Sequence, residues 1–288
     1  MKIAHISDLH ILKVKGKVTD FLNKRLIGGL NIYFNRKGEY LVENVEKLFN
    51  DLNKENPDHI VITGDFTNLA LPSEYEKAKE LLELLGESKK ISIIPGNHDN
   101  YTRGAEKKRL FEKYFAKWII TDIETKNKFP YVRLLDDNIA IIGFYTSIHS
   151  CPLCSAGKIS KAQIKQFKEL MENPKLKDRY KIVLIHQHLL KKSKRDEWVS
   201  GMRERTKIVK LFSDYKIDLV LHGHRHVNSR YIVNEYDYDL EVQEAGASAR
   251  YTQDNKGNYS IYEIKDNSII NKRVKILDFE TKKYIEKK

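Results

Sequence analysis

The chain has 288 residues, enough for one large α/β domain or two small ones, and its 41% hydrophobic content is ordinary for a globular protein with a full core. Lys plus Arg exceed Asp plus Glu by 52 − 40 = 12, an excess that implies an anionic partner: nucleic acid, a membrane surface or a phosphorylated substrate. No apolar stretch approaches the ~20 residues needed to cross a bilayer, which excludes a spanning helix.

Met1 leads straight into an apolar run at residues 3–6 with no long h-region, so a first strand is expected and a signal peptide is not. That strand delivers Asp8-Leu9-His10. Residues 20–40 carry Phe21, Leu22, Leu26, Ile27, Leu30, Tyr33 and Phe34 near helical spacing, broken by Gly28-Gly29 and flanked by Lys24, Arg25, Arg36 and Lys37. This segment reads either as a helical insertion packed on the domain or as a basic amphipathic cap suited to an anionic membrane surface or a lipid substrate. A helix is predicted over 39–52 and a strand over 59–63, the latter ending at Gly64-Asp65. A second helix, 73–85, takes Ser73 as its N-cap and stops at Gly86. The strand 91–94 runs through Pro95 into Gly96-Asn97-His98-Asp99.

Further strands are predicted at 139–145, 182–186 and 219–222, alternating with helices at 161–171 and 206–214. The strand 182–186 ends on His186, and 219–222 leads into Gly223-His224-Arg225-His226. Meandering strands follow at 230–235, 240–245, 258–264 and 268–276, and residues 282–288 are expected to fray. Strand–helix alternation followed by a mostly β tail suggests two sheets packed together with helices outside. Cys151 and Cys154 form one C-x-x-C, half the ligands of a zinc ribbon, and read as an incidental loop pair in a reducing cytosol.

The chemistry lies in the fragments at strand ends, where open α/β sheets build their sites. Asp, Asn and His are hard or borderline ligands for Mn, Fe(II), Zn or Co. Residues two apart on extended backbone point to the same side, so Asp8 and His10 are expected to converge, and likewise His224 and His226. Asp65 follows a glycine that clears space, and its two carboxylate oxygens suit it to bridge two ions. His188 is the rival of His186 for a ligand position, His222 reads as an outer partner that orients a ligand, and His5 and His59 read as structural. Each fragment alone is a weak signal; together, in this order, they are a strong one.

The order D-x-H, G-D, G-N-H-D, H and G-H-x-H over residues 8 to 226 resembles the calcineurin-like metallophosphoesterase superfamily, specifically its small bacterial phosphodiesterase and pyrophosphatase branches. The resemblance implies an α/β fold of two mixed β-sheets packed face to face between helices, a four-layer sandwich in a single domain. It implies that Asp8, His10, Asp65 and His226 bind one divalent ion and that Asp65, Asn97, His186 and His224 bind another, with manganese the leading metal. His98 would face the substrate phosphate and its leaving group. Paired divalent ions generate a nucleophile from water near neutral pH for in-line attack on phosphorus.

One departure narrows the expectation. The protein Ser/Thr phosphatase branch has a further Asp and an Arg after its G-D, whereas this chain reads Gly64-Asp65-Phe66-Thr67-Asn68. A phosphodiester or pyrophosphate substrate is therefore expected over a phosphoprotein. Arg103, Lys194 and Arg195 follow ligand-bearing strands and are expected to attract the anionic substrate. The segment 20–40 is similar to that of lipid-processing members such as the UDP-2,3-diacylglucosamine pyrophosphatases, which places the enzyme in the cytoplasm on the inner face of the membrane. A cyclic-nucleotide phosphodiesterase, a nuclease and a non-catalytic scaffold are the alternatives. Intact ligands and His98 disfavour the scaffold, and no DNA-binding module accompanies the charge.

Overall fold

In chain order the strands are β1 (Lys2–Ile6), β2 (His59–Ile62), β3 (Ile91–Ile93), β4 (Tyr131–Leu135), β5 (Ile139–Gly143), β6 (Tyr180–Leu184), β7 (Leu219–His222), β8 (Ser229–Glu235), β9 (Tyr238–Glu244), β10 (Asn258–Lys265), β11 (Ser268–Leu277) and β12 (Tyr284–Glu286). The computed structural model describes residues 1–13, 15, 25, 39–135, 138–149, 154–252 and 256–287. Among these, the strands form two six-stranded mixed sheets, in the orders β12-β11-β10-β1-β2-β3 and β4-β5-β6-β7-β9-β8. The helices are α1 (Val42–Glu55), α2 (Pro72–Leu82), α3 (Arg103–Lys107), α4 (Leu110–Tyr114), α5 (Lys161–Met171), α6 (Lys194–Val199) and α7 (Arg205–Asp214).

Period-two alternation on the central strands explains the layering. Ile139 and Ile141 of β5, Ile182 and Leu184 of β6, and Leu219 and Leu221 of β7 join one buried cluster with Ile3, Ile60 and Ile261 of the first sheet. The intervening Ala140, Ile142, Val183 and Val220 face the other way, onto Phe167 of α5 and Phe212 of α7. Leu48, Phe49 and Leu52 of α1 and Leu81 and Leu82 of α2 belong to the cluster of the first sheet. β1, β2 and β3 pair in parallel, as do β5, β6, β7 and β9, so each sheet gathers several carboxyl ends along one edge.

Several expectations are revised. Ser73 lies inside α2, not at its start; Leu71 is the N-cap, and the Glu74 carboxylate accepts from the Leu69 and Leu71 N–H groups. Ser73 Oγ instead donates to the Lys13 and Lys15 carbonyls. Residues 284–286 do not fray: they pair with β11 through Tyr284, which is buried. Edge strand β4 was not foreseen, because Arg133 interrupts its apolar run; the structure buries Arg133 against Asp122 and the Lys89 carbonyl.

Candidate metal centre

Loops after β1, β2, β3, β6 and β7 bring their polar side chains together. Asp8 Oδ1 lies 3.3 Å from His226 Nε2 and 3.8 Å from His10 Nε2, and the two Nε2 atoms are 3.0 Å apart. Asn97 Oδ1 lies 3.0 Å from His186 Nε2 and 2.9 Å from His224 Nδ1. Asp65 Oδ2 stands between the two groups, 3.8 Å from His10 Nε2 and 3.4 Å from His186 Nε2. Ligand bonds of about 2.1 Å meeting at right to tetrahedral angles separate neighbouring donors by about 3.0–3.4 Å. Five of the seven separations lie in or within 0.1 Å of that range, and the two at 3.8 Å, both to His10 Nε2, lie beyond it; the residues present fit a dinuclear centre of divalent cations, with Asp65 between the two groups.

The electrostatics agree. Burial works against ionisation of Asp8 and Asp65, yet the surrounding imidazoles hold both well below the usual carboxylate range. Burial likewise opposes charge on His186, but Asp65, Asp8 and the Thr63 carbonyl push it up to about 9. His224, buried and beside His186, falls to about 3, and burial with His98 nearby also lowers His10. Two buried carboxylates thus demand positive charge at their centre, while most of the imidazoles offer lone pairs to it. That combination suits cations better than protons.

The candidate ligands do not converge by strand alternation. β1 ends at Ile6, and Asp8 and His10 adopt left-handed backbone with φ of 54° and 47°. Asp65, His224 and His226 do the same, at 56°, 77° and 60°. Asp tolerates this region better than most side chains, but strained backbone at so many candidate ligand positions persists only where the surroundings over-determine it. Gly64 shows how tight those surroundings are: its φ is 101°, and a Cβ there would lie 2.5 Å from Gly96 N and 2.8 Å from His186 Nδ1. A Cβ on Gly223 would meet Ser7 Oγ at 1.9 Å and Asp8 Oδ2 at 2.4 Å.

His98 stands beside this set, its ring edge-on to His10 at 4.7 Å and stacked with Tyr101 at 5.5 Å. Its Nδ1 lies 2.7 Å from the Asn68 carbonyl, which can only accept, so Nδ1 carries a proton. An atom of His98 also comes within 4.8 Å of ligand atoms of His10 and Asp65.

Partners to which the sequence assigned no role hold the centre from outside. Asp99 is fully buried and accepts from the N–H groups of Gly96, Phe66 and Thr67, tying the Asp65 loop to the Asn97 loop. Burial and the nearby Asp65 raise its carboxyl to about 7. His186 Nδ1 donates to the Thr63 carbonyl at 2.6 Å, His224 Nε2 meets Ser155 Oγ at 3.4 Å, and His226 Nδ1 meets the Tyr40 hydroxyl at 3.3 Å. Asp99 closes the Gly96-Asn97-His98-Asp99 motif, though its tying role was not assigned; no pattern marks Ser155 or Tyr40, because long-range folding alone brings them in.

The remaining candidates fall as follows. His188 is buried 6.3 Å from the His224 ring, centroid to centroid, and it is His186 that meets Asp65 and Asn97. His222 bonds the Gly223 carbonyl and Tyr231, and so backs the His224 loop. His5 and His59 are structural, paired with Thr63 and Ser92. Arg103, Lys194 and Arg195 are exposed at the starts of α3 and α6, and no direct contact with the ligands is seen among the described residues. Most of the segment 20–40 lies outside the described residues. Arg25 does not: it is buried and donates to the Leu69 and Ala70 carbonyls, so its charge anchors main chain instead of facing lipid. Cys154 is disulfide-bonded, contrary to the expected reduced pair; Cys151 lies outside the described residues.

The family model for calcineurin-like phosphoesterases matches residues 1–228. The chain belongs to that family. It is similar to a probable glycerophosphodiester phosphodiesterase GpdQ of Arcobacter nitrofigilis, with 36% identity over 51% of this chain and 44% of that protein. It is also similar to the glycerophosphodiester phosphodiesterase GpdQ of Enterobacter lignolyticus, with 31% identity over 35% of this chain and 30% of the relative. The matched regions thus span less than half of each of these relatives. A dimetal phosphatase from Danio rerio shares the fold at a TM-score of 0.62 and 10% identity, over 96% of this chain and 94% of that one. No helix among the described residues is long and apolar enough to cross a membrane.

Proposed function

We propose that this phosphoesterase acts as one domain on a phosphodiester, and that Asp8, His10, Asp65 and His226 bind one divalent ion while Asp65, Asn97, His186 and His224 bind a second, both manganese. Bound there, the ions supply Lewis acidity and a water of lowered pKa. The chain's own residues do the rest. The Asp65 carboxylate keeps Oδ2 between the two donor sets because its Oδ1 accepts from the His98 N–H at 2.7 Å. With Nδ1 committed to Asn68, the His98 ring presents Nε2 to substrate; protonated on both nitrogens, it gives the Nε2 proton to the departing alkoxide. Exposed Arg103, Lys194 and Arg195 raise the local concentration of the anionic substrate.

The observation that carries the diester reading is the partner of His98, a neutral main-chain carbonyl where the protein phosphatases place a carboxylate. The two phosphodiesterase-named relatives support it. A pyrophosphate-linked lipid such as UDP-2,3-diacylglucosamine, met on an anionic membrane surface in the cytoplasm, is the finer reading that the basic segment 20–40 motivates. The test is a substrate panel in added Mn: a glycerophosphodiester, a cyclic nucleotide, a sugar-nucleotide pyrophosphate with and without acyl chains, and a phosphoserine peptide. Diesters should lead by about tenfold or more in kcat/KM. A leading acylated pyrophosphate would move the assignment to the lipid reading, and a leading phosphopeptide would overturn the diester reading.

A further inference from the structure

We infer that Tyr40 is a positioning residue for one half of the metal centre, holding His226 in the orientation that presents Nε2 to an ion. This rests on the proposed ion among Asp8, His10, Asp65 and His226, and it concerns a residue outside the motifs that define the site.

His226 needs outside support more than its neighbours do. Its side chain is 17% exposed, while those of Asp8 and His10 are fully buried. Its Nε2 is the atom that faces Asp8 and His10. A neutral imidazole that offers a lone pair at Nε2 carries its proton on Nδ1, and that N–H requires an acceptor. The Tyr40 hydroxyl oxygen lies 3.3 Å away. The same ring lies edge-on to His10, 4.7 Å between centroids at 64°, and so also limits how far His10 can turn.

Tyr40 is itself well held. It is buried and forms an antiparallel bridge with Arg250. The preceding Glu39 pairs with the Arg250 guanidinium at 3.1 Å and accepts from the Tyr251 N–H at 2.8 Å. The hydroxyl is thus delivered to His226 by a rigid contact between two loops, as effective ligand orientation requires.

The other donor set has separate supports: the Thr63 carbonyl behind His186 and Ser155 beside His224. The consequence is an asymmetry. Tyr40→Phe keeps the ring against His10 and removes only the hydroxyl, so it should weaken one ion by about 10–100-fold and leave the other near its wild-type affinity.

The experiment is calorimetric titration of metal-free wild type, Tyr40→Phe and Tyr40→Ala with Mn, with the melting temperature of each metal-free protein measured in parallel. The expected result is two binding events in wild type, selective weakening of one in Tyr40→Phe, a larger loss of the same one in Tyr40→Ala, and an unchanged metal-free melting temperature for Tyr40→Phe. Wild-type affinities in Tyr40→Phe, or equal weakening of both events, would overturn the inference. If wild type itself binds fewer than two ions, the dinuclear reading fails first, and the inference falls with it. Should Tyr40→Ala not fold, Tyr40→Phe decides alone.

Discussion

The Asn68 carbonyl accepts the His98 Nδ1 proton at 2.7 Å, and the Asn68 side chain in turn donates to the His10 carbonyl. One residue therefore sets the direction of the proposed proton donor and braces a metal-site loop. Its carbonyl brings no negative charge to Nδ1; the charge near the ring is that of Asp65, a ligand atom of which lies within 4.8 Å of one of His98.

From this follows a substrate-class prediction at the level of one residue. His98→Ala should keep full Mn occupancy but lose about 10²–10⁴-fold in kcat on an unactivated diester. On a diester with a low-pKa phenol leaving group the loss should be at least tenfold smaller, because that group needs no proton. Equal losses on both substrates would remove His98 from the donor role.

Asp65→Asn should behave in the opposite way. Asp65 Oδ2 faces both donor sets, so removing its charge weakens both ions together. Added Mn raises the melting temperature of a protein that binds it only when folded. Wild type should show that rise and Asp65→Asn should not, while His98→Ala keeps it. A wild-type rise in Asp65→Asn would refute the shared carboxylate.

Stability should fall in acid for a reason remote from the metals. Burial, with Arg133 nearby, lowers His59 from 6.5 to about 3. Between those values the unfolded chain takes up a proton that the folded chain refuses, so stability is full above pH 6.5 and declines as pH drops toward 3. One such histidine contributes a slope of up to about 1.4 kcal/mol per pH unit. His59→Gln keeps a partner for Ser92 without a titrating ring, and denaturant melts across this range should show a correspondingly shallower slope. An unchanged slope would mean that His59 is protonated in the folded state.

Much of this was legible beforehand because it is local. Apolar runs gave the central strands, and Gly-Asn-His-Asp after β3 marked its loop without any tertiary knowledge. What stayed hidden depended on distance in sequence. Tyr40 reaches His226 across 186 positions, and Ser155 reaches His224 across 69. Ser73 looked like a cap because its residue type is right; Glu74 took the role because its longer side chain reaches back to two free N–H groups. The pointing of Asp8 and His10 was foreseen correctly for the wrong reason. Alternation on extended backbone does not operate at positive φ; the left-handed turns after β1 do the aiming.

The last prediction concerns Glu244, which supports the loop carrying His224 and His226. Its carboxylate is fully buried at the end of β9 and accepts from Arg225 Nη1 at 3.2 Å and Ser229 Oγ at 2.8 Å. Arg225 stands between the two histidines, and the same loop gives the His224 N–H to Asp8 Oδ2 at 3.0 Å. Cutting the Arg225 tie should loosen both histidines at once, unlike Tyr40→Phe, which touches one. Glu244→Ala should lower affinity for both Mn ions by about 10–100-fold, with kcat largely recovered at saturating Mn because no reacting group has been removed. Glu244→Gln retains an oxygen able to accept from Arg225 or Ser229 and should fall between wild type and Glu244→Ala. If Glu244→Ala binds Mn as wild type does, or if its activity stays low when Mn saturates, the loop is held by other contacts, and the Arg225–Glu244 pair is of little consequence for the centre.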